Sequence, residues 1–190
     1  ERVVHETEIP VTQFLPTHIN RNSHLFEAAV SFAREGGCVD FTGNEDIDSW
    51  EKITDEVRVC TGIRRLLDAG ISENNFTISS DGQGSLPRFS PSGQYEGLGI
   101  GKASSLLKEV RECVMREHLP LELALRAVTS NPARILKLNT KGHIAPGYDG
   151  DICLLHKDSL LLHTVIAKGR VMVRNSVPEV RGCLLYTSPS

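Results

Sequence analysis

Segments that read as β-strands and segments that read as α-helices alternate through most of the chain, and this order most constrains the fold. Apolar residues recur at helical spacing in two stretches that each end at glycine, residues 25–35 and 57–69. Strand-like apolar runs stand before, between and after them, at residues 13–20, 38–42 and 75–80. Two further helical stretches follow, at residues 103–117 and 121–127. This order predicts an α/β fold built from parallel βα units.

The pattern changes near residue 139, where a turn-rich segment replaces the helical spacing. Short β-type runs come next, separated by glycine or charged residues, at residues 151–155, 161–168 and 170–174. Such runs predict a small antiparallel element and not another βα unit. We therefore expect one domain over residues 1–138 and part of a second, β-rich domain over residues 139–182.

Composition and charge exclude several classes of protein. The 190 residues carry a formal net charge of −3, which provides no basic surface for nucleic acid or for an anionic membrane. No apolar run approaches the roughly 20 residues that a transmembrane helix needs, and the first residues do not resemble a signal peptide. The five cysteines are scattered without a C-x-x-C pair, which favours a reducing cytosol. We expect a cytoplasmic protein with no nucleic-acid or membrane partner.

Both ends of the chain indicate a fragment of a longer protein. The sequence does not begin with methionine. Residues 183–190 do not continue the preceding pattern, and they match the translation of a common library adapter of the transposase type. We expect this tail to be non-native and leave it out of the fold prediction.

A histidine stands at the polar end of the first predicted strand and an arginine follows it, where residues 17–22 read Thr-His-Ile-Asn-Arg-Asn. Reactive side chains of βα folds gather where the carboxyl ends of strands meet the loops. A neutral imidazole is a good metal ligand when its second nitrogen is held, and a planar guanidinium suits a carboxylate. His18 is thus a candidate metal ligand and Arg21 a candidate carboxylate-binding residue. A histidine at a strand end is also commonly a hydrogen-bonded structural residue.

A second candidate motif ends the strand-like run at residues 75–80, and residues 79–85 read Ser-Ser-Asp-Gly-Gln-Gly-Ser. A carboxylate such as that of Asp81 can ligate a metal and accept a proton from metal-bound water. The flanking glycines allow a substrate to approach the backbone closely. The same residues also form an ordinary turn motif. No lysine follows the glycines, as a phosphate-binding loop would require.

A third polar strand end, at Asp40 and Thr42, could assist a site, but we interpret it as solvated loop polarity. Elsewhere the sequence has no paired metal-ligand motif such as H-x-H or H-E-x-x-H, and no G-x-S-x-G elbow. Catalytic zinc generally needs about three protein ligands. One histidine and one aspartate do not meet that need, so either there is no metal or the other ligands lie upstream of residue 1.

Together these motifs resemble the carboxyl-terminal half of the amidohydrolase superfamily, and within it the isoaspartyl (β-aspartyl) dipeptidases. Residues 9–22 resemble the family's segment around the last histidine ligand, and residues 77–85 resemble its final-strand aspartate loop. Residues 129–133, 141–151 and 167–170 resemble sequence shared by the whole superfamily. The first two segments are therefore the ones that point to the dipeptidases.

The resemblance covers about residues 8–182, and it implies a (β/α)₈ TIM-like barrel. This chain would hold about the last three βα units, followed by part of a small β-sandwich. The implied activity is hydrolysis of β-aspartyl dipeptides at two zinc ions bridged by hydroxide and a carboxylated lysine. His18 matches a ligand of one ion, and Asp81 matches the catalytic aspartate that binds the other and passes a proton to the leaving amine. Arg21 and Ser85 match residues that bind substrate carboxylates, and the full-length protein is expected to be a homo-oligomer.

Part of the family pattern has no match in this chain: the first-strand H-x-H, the lysine, a further histidine ligand and the tyrosine that polarises the carbonyl. These would lie before residue 1, so we expect the fragment alone to be inactive and, with exposed strand edges, to aggregate. One alternative is a cyclic amidohydrolase of the dihydropyrimidinase kind, whose substrate has less need of Arg21 and Ser85. Another is a non-catalytic relative that acts as an assembly partner, against which the retention of His18 and Asp81 argues.

Overall fold

The computed structural model describes residues 6–51, 53–90 and 92–180. The chain divides into two compact units, Glu1–Pro132 and Ala133–Ser190. The domain boundary that we expect near residue 139 lies a few residues after this division, and it stays a prediction. The expected adapter-derived tail at residues 183–190 lies outside the described residues.

The first unit is a mixed α/β structure in which helices stand between two parallel strands. After a 3-10 turn at Val11–Gln13 its elements are α1 Ser23–Arg34, β1 Val39–Thr42, α2 Ile47–Trp50, α3 Val59–Asp68, β2 Phe76–Ser79, β3 Ser85–Phe89, β4 Tyr95–Ile100, α4 Ser105–Met115 and α5 Leu121–Arg126. A further helix, α6 at Ser130–Ile135, spans the division between the units. The four helices expected from periodicity and the strands expected at residues 38–42 and 75–80 are confirmed, with shifted ends.

β1 and β2 pair in parallel, with Val39 opposite Phe76 and Thr42 opposite Ser79. All four residues of β1 are buried, as expected for a strand of a parallel sheet that is covered on both faces. The parallel pairing also puts the carboxyl ends of both strands at one edge. The loops after Thr42 and Ser79 therefore start side by side.

The core lies between these strands and the helices because each helix is apolar along one stripe. In α1 the buried residues include Phe26, Ala29, Val30 and Ala33, which recur at the three- and four-residue spacing of a helix face. The Asn22 side chain accepts a hydrogen bond from the backbone N–H of Leu25 at 2.8 Å, which caps the first turn. These side chains pack with buried residues of β1, α3, β2 and α4 in one hydrophobic cluster.

The strand expected at residues 13–20 is wrong, although the chain there runs beside β1. The N–H of Asp40 donates to the carbonyl of Pro16 at 2.9 Å, and the N–H of Ile19 donates to the carbonyl of Asp40 at 3.4 Å. His18, between them, has φ +61°, a left-handed conformation that strand residues do not adopt. The pairing is thus irregular at His18, and no ladder forms.

The hairpin of β3 and β4 was not expected from the sequence. Ser85 pairs with Ile100 and Arg88 with Gly97 in an antiparallel register. The segment contains Pro87, Gly97 and Gly99, residue types that weaken strand interiors, so its composition reads as loop.

The second unit contains an antiparallel sheet with strand order β5 Ile152–Leu155, β6 Leu162–Ala167, β7 Arg170–Arg174 and β8 Val177–Pro178. This confirms the antiparallel element expected after the βα region, with β8 as an addition. Two-residue turns join the last three strands, and both residues of each turn have positive φ. Such turns match the twist of the strands that they connect. In the described part of the chain no helix has the length and hydropathy needed to cross a membrane.

Candidate metal and substrate site

His18 and Asp81, the two candidate metal ligands, lie side by side. Nε2 of His18 is 3.5 Å from Oδ2 of Asp81, and the side chains are 39% and 36% exposed. His18 ends the extended segment beside β1, and Asp81 follows β2 by two residues. The parallel pairing of β1 and β2 brings Asp81 to the edge of β1 beside which the segment of His18 runs, so residues distant in sequence meet there.

The loop that carries Asp81 is tightly packed around this carboxylate. Asp81 has φ +47°, a left-handed conformation that is uncommon outside glycine. A Cβ atom at Gly84 would lie 2.8 Å from both the backbone oxygen and Oδ1 of Asp81. The glycine is therefore required by the close approach of the Asp81 side chain, and not only by the turn.

The other ring nitrogen of His18 is held by two hydroxyl groups. Nδ1 lies 3.0 Å from Oγ1 of Thr17 and 3.2 Å from Oγ1 of Thr42. Thr42 is buried, so its hydroxyl is fixed in place. The imidazole is thus oriented with Nε2 towards Asp81.

Asp40 is buried below His18, and its interpretation as solvated loop polarity is wrong. Its carboxylate accepts hydrogen bonds from the hydroxyls of Thr17 at 2.7 Å, Thr77 at 2.5 Å and Ser79 at 2.6 Å. Only 5% of the residue is exposed. The side chain turns inwards because Asp40 stands opposite Thr77 in the ladder and next to the His18 segment.

One sequence signal could have revealed this buried polar layer. Polar residues occupy alternate positions in both strands, Asp40 and Thr42 in β1 and Thr77 and Ser79 in β2. Alternate residues of a strand point to the same face of a sheet. Two such strands predict one shared polar face.

Arg21, the candidate carboxylate-binding residue, faces a buried glutamate. Its Nη1 lies 3.6 Å from Oε1 of Glu56, whose side chain is 1% exposed. Asn20 donates to Oε1 of Glu56 at 3.4 Å, and Asn44 donates to Oε2 at 3.3 Å. Burial raises the pKa of Glu56, and the positive charge of Arg21 acts in the opposite direction. Sequence reasoning missed Glu56 and Asn44 because nothing in their local sequence distinguishes them from ordinary loop polarity.

Arg21 and His18 are joined indirectly through Asn20 and Thr42. The side chain of Asn20 accepts from the backbone N–H of Thr42 at 2.9 Å and donates to its carbonyl at 3.0 Å. Ser85 stands apart, exposed at the first residue of β3. The structure thus brings His18 and Asp81 together, ties Arg21 to them through a polar network, and shows no hydrogen bond or ion pair between Ser85 and these three residues.

A cavity of about 420 Å³ lies under the β3–β4 hairpin, beside the ends of β1 and β2. Its lining includes Asn44, Trp50, Ser80, Phe89 and Ser105. Behind it Glu109 is buried and accepts a hydrogen bond from the backbone N–H of Asn44 at 3.0 Å. Burial raises the pKa of Glu109 to about 7.

The donor atoms of His18 and Asp81 fit part of a zinc site. Zinc accepts imidazole nitrogen and carboxylate oxygen, and catalytic zinc generally has about three protein ligands. No group of three or more His, Cys, Asp or Glu residues is placed to hold a metal ion within the described ranges. His18 and Asp81 therefore supply suitable ligands, but fewer than a complete catalytic site needs.

The sequence matches the model of the amidohydrolase family over residues 24–173. The chain belongs to the amidohydrolase family. This amidohydrolase is similar to the solved β-aspartyl dipeptidase of Fervidobacterium islandicum AW-1 in complex with β-Asp-Leu, with 37% identity and a TM-score of 0.78. That match covers 95% of this chain and 44% of the dipeptidase.

A second structure of the β-aspartyl dipeptidase of Fervidobacterium islandicum AW-1 matches with 32% identity and a TM-score of 0.76, over 96% of this chain and 43% of that one. The chain thus spans less than half the length of these relatives. The zinc complex of atrazine chlorohydrolase from Arthrobacter aurescens TC1 shares the fold, with 18% identity and a TM-score of 0.50 over 90% of this chain and 38% of that one.

Proposed function

We propose that this chain is the carboxyl-terminal part of a zinc-dependent isoaspartyl dipeptidase, a peptidase that hydrolyses the amide bond formed by the side-chain carboxyl of aspartate. The observation that carries the proposal is the facing pair of His18 Nε2 and Asp81 Oδ2, 3.5 Å apart. The 37% identity to a β-aspartyl dipeptidase supports the substrate class.

In this proposal β1, β2 and the segment of His18 are the last strand positions of a (β/α)₈ barrel, over residues 1–138. The sheet of β5–β8 is part of a small β-sandwich over residues 139–182. The barrel assignment is supported by the parallel pairing of β1 with β2 and by the helices that alternate with them.

His18 and Asp81 would each contact one of two zinc ions, and the remaining ligands, a carboxylated lysine among them, would come from the rest of the full-length protein. Zinc supplies a hydroxide nucleophile at neutral pH and polarises the carbonyl of the substrate. Asp81 would act as the catalytic base: it would take the remaining proton of the attacking hydroxide and pass it to the leaving amino group. The half-exposed position of both side chains allows a substrate to reach them.

Arg21 and Ser85 would bind the carboxylates of the substrate. A β-aspartyl dipeptide carries two carboxylates, and burial of either without a partner is costly. The guanidinium of Arg21 can form a bidentate pair with a carboxylate, and Glu56 holds it from behind. A cyclic amide has less need of such a residue, so Arg21 favours the dipeptidase over a dihydropyrimidinase-like enzyme.

The fragment alone should be inactive, because its described residues contain no group of three or more His, Cys, Asp or Glu placed to hold a metal ion. The complete protein is proposed to be a cytoplasmic homo-oligomer that takes a small dipeptide as its substrate, with no nucleic-acid or membrane partner. Activity must therefore be measured on the protein encoded by the full reading frame that contains this chain.

The test is hydrolysis of β-Asp-Leu by that protein, before and after removal of metal with a chelator and after zinc is restored. We expect activity to disappear with the metal and to return with zinc. His18→Ala should abolish activity, whereas His24→Ala, an exposed histidine on α1, should preserve it. Equal activity in both variants, or hydrolysis of dihydrouracil but not of β-Asp-Leu, would contradict the proposal.

A further inference from the structure

We propose that Asp40 is a positioning residue that acts through Thr17 to fix the tautomer of His18, so that the lone pair of Nε2 faces Asp81. The inference rests on the proposed function for its purpose, since a metal binds the unprotonated nitrogen of imidazole. Its structural content, the tautomer of one histidine, can be tested without a metal.

The first step is the hydrogen bonding of Asp40. A carboxylate can only accept hydrogen bonds, and this one accepts from the three hydroxyls of Thr17, Thr77 and Ser79. Each hydroxyl has a single proton; those of Thr17 and Thr77 go to Asp40, and that of Ser79 goes to Asp40 at 2.6 Å in preference to the carbonyl of Phe41 at 3.4 Å. The carboxylate is buried, so these bonds replace the water that it would otherwise bind.

The second step concerns the oxygen of Thr17. Its only proton is donated to Oδ2 of Asp40 at 2.7 Å, yet the same oxygen lies 3.0 Å from Nδ1 of His18. Towards the ring it can therefore only accept a hydrogen bond. Nδ1 must carry the proton, and Oγ1 of Thr42, 3.2 Å away, can share it.

The third step follows from the chemistry of neutral imidazole. With the proton on Nδ1, Nε2 has a free lone pair, and it points towards Asp81 at 3.5 Å. Two acceptor atoms then face each other with no proton between them. Such an arrangement is suited to a cation, and the opposite tautomer would fill the gap with an N–H group.

The purpose of Asp40 thus differs from that of a buried structural carboxylate. Metal-bound histidines usually donate their second N–H to a carboxylate or carbonyl, which sets the tautomer and the orientation of the ring. Here the carboxylate acts through one intervening hydroxyl. Loss of that hydroxyl should therefore allow both tautomers of His18. Another disturbance near Asp40 should leave the Nδ1–H tautomer in place.

The experiment compares three variants of the full-length protein: Thr17→Val, Thr17→Ser and Thr77→Val. The first removes the intervening hydroxyl with little change of shape, and the second retains it. Thr77→Val is the matched control, because Thr77 also donates to Asp40 but has no hydrogen bond to His18. Equal denaturation midpoints of the two valine variants would show that both fold alike.

The first readout is the tautomer of His18 in metal-free protein, from the ¹⁵N chemical shifts of labelled histidine rings at a pH where an ordinary histidine is neutral. The His18→Ala variant assigns the signal. We expect the Nδ1–H tautomer in the unaltered protein, in Thr17→Ser and in Thr77→Val, and a mixture in Thr17→Val. An Nε2–H tautomer in the unaltered protein, or no change in Thr17→Val, would overturn the proposal.

The second readout is zinc affinity, measured by competition with a chromophoric chelator. Loss of such a supporting contact typically weakens metal binding by about 10–100-fold, and we expect this for Thr17→Val. A loss in Thr77→Val as large as in Thr17→Val would indicate a merely structural role and refute the inference. A protein that has the expected tautomer but binds no zinc would contradict the proposed function and leave the role of Asp40 intact.

Discussion

Nε2 of His18 lies 3.5 Å from Oδ2 of Asp81, and both residues hold this position with a left-handed backbone, at φ +61° and +47°. Residues with a side chain adopt positive φ at a cost of about 1–3 kcal/mol. Glycine would relieve that cost at either position but would remove the functional group. The pair therefore indicates that backbone strain is tolerated where the two side chains must meet.

Replacing Asp81 by glycine should lower the activity without lowering the stability of the fold. Asp81→Gly removes a side chain from a left-handed position, so the free energy of unfolding of metal-free protein should not fall. We expect kcat/KM to fall by at least about 10²-fold, because a proton-transfer group typically contributes 10²–10⁴-fold. Steady-state kinetics and denaturant unfolding measure the two effects. If Asp81→Gly unfolds far more easily, Asp81 has a structural role instead.

Gly84→Ala should reduce activity by displacing the Asp81 carboxylate. The new Cβ would lie 2.8 Å from Oδ1 and from the backbone oxygen of Asp81, so one of the groups must move. A displacement of about 1 Å at a reacting group can cost about 10²-fold in rate. Gly93→Ala is the control, because Gly93 lies in the turn of the adjoining β3–β4 hairpin and a Cβ there would meet open space. Comparable losses in both variants would point to general loop damage.

The parts of the fold that follow from local pattern could be predicted from the sequence. The stripe of Phe26, Ala29 and Ala33 specifies a helix with one buried face, whatever it packs against. The place of Asp81 followed from a topological rule, because the parallel strands β1 and β2 bring their carboxyl ends to one edge, but His18 reaches that edge from an irregular segment beside β1.

The parts that depend on distant partners could not be predicted. Asp40 is buried only because hydroxyls from β2 and from residue 17 surround it, and none of these is local in sequence. Glu56 likewise becomes a candidate site residue only through its contacts with Arg21 and Asn44, and its local sequence indicates an ordinary charged loop residue. The β3–β4 hairpin depends on pairing across the turn, while Pro87 and its glycines argue locally for a loop.

Arg21→Lys should weaken substrate binding more than it slows the chemical step. A lysine keeps the charge but lacks the planar fork that can bind a carboxylate through two hydrogen bonds. Hydrogen bonds to charged groups contribute about 1.5–3 kcal/mol, so we expect KM for β-Asp-Leu to rise by about tenfold or more. Arg34→Lys, at the exposed end of α1, should leave KM unchanged. An unaltered KM in Arg21→Lys would mean that Arg21 pairs with Glu56 but does not bind the substrate.

Gly62→Ala should destabilise the core although alanine is the better helix former. Gly62 lies in α3, and a Cβ there would come 2.5 Å from Cε1 of the buried Phe41. Overpacking of this kind typically costs about 1–3 kcal/mol, which offsets the gain of about 1 kcal/mol in helix propensity. Denaturant unfolding of the full-length protein should show a lower midpoint. Phe41→Leu in the Gly62→Ala background should recover part of the loss if the contact is its cause.

Glu109→Gln should flatten the dependence of stability on pH. Burial raises the pKa of Glu109 from 4.5 to about 7, so the folded protein keeps a proton on this group at pH values where the unfolded chain has released it. The stabilisation from a raised pKa is complete below pH 4.5 and is lost as the pH rises to about 7.

Glutamine imitates the protonated acid, and its carbonyl oxygen can still accept the hydrogen bond from Asn44. We therefore expect the variant to be more stable than the original at pH 8, by on the order of 1–3 kcal/mol, and similar to it near pH 4.5. Denaturant midpoints measured across this range test the expectation, with the exposed Glu122→Gln as the control. Parallel pH profiles for the original protein and Glu109→Gln would show that folding does not raise the pKa of Glu109.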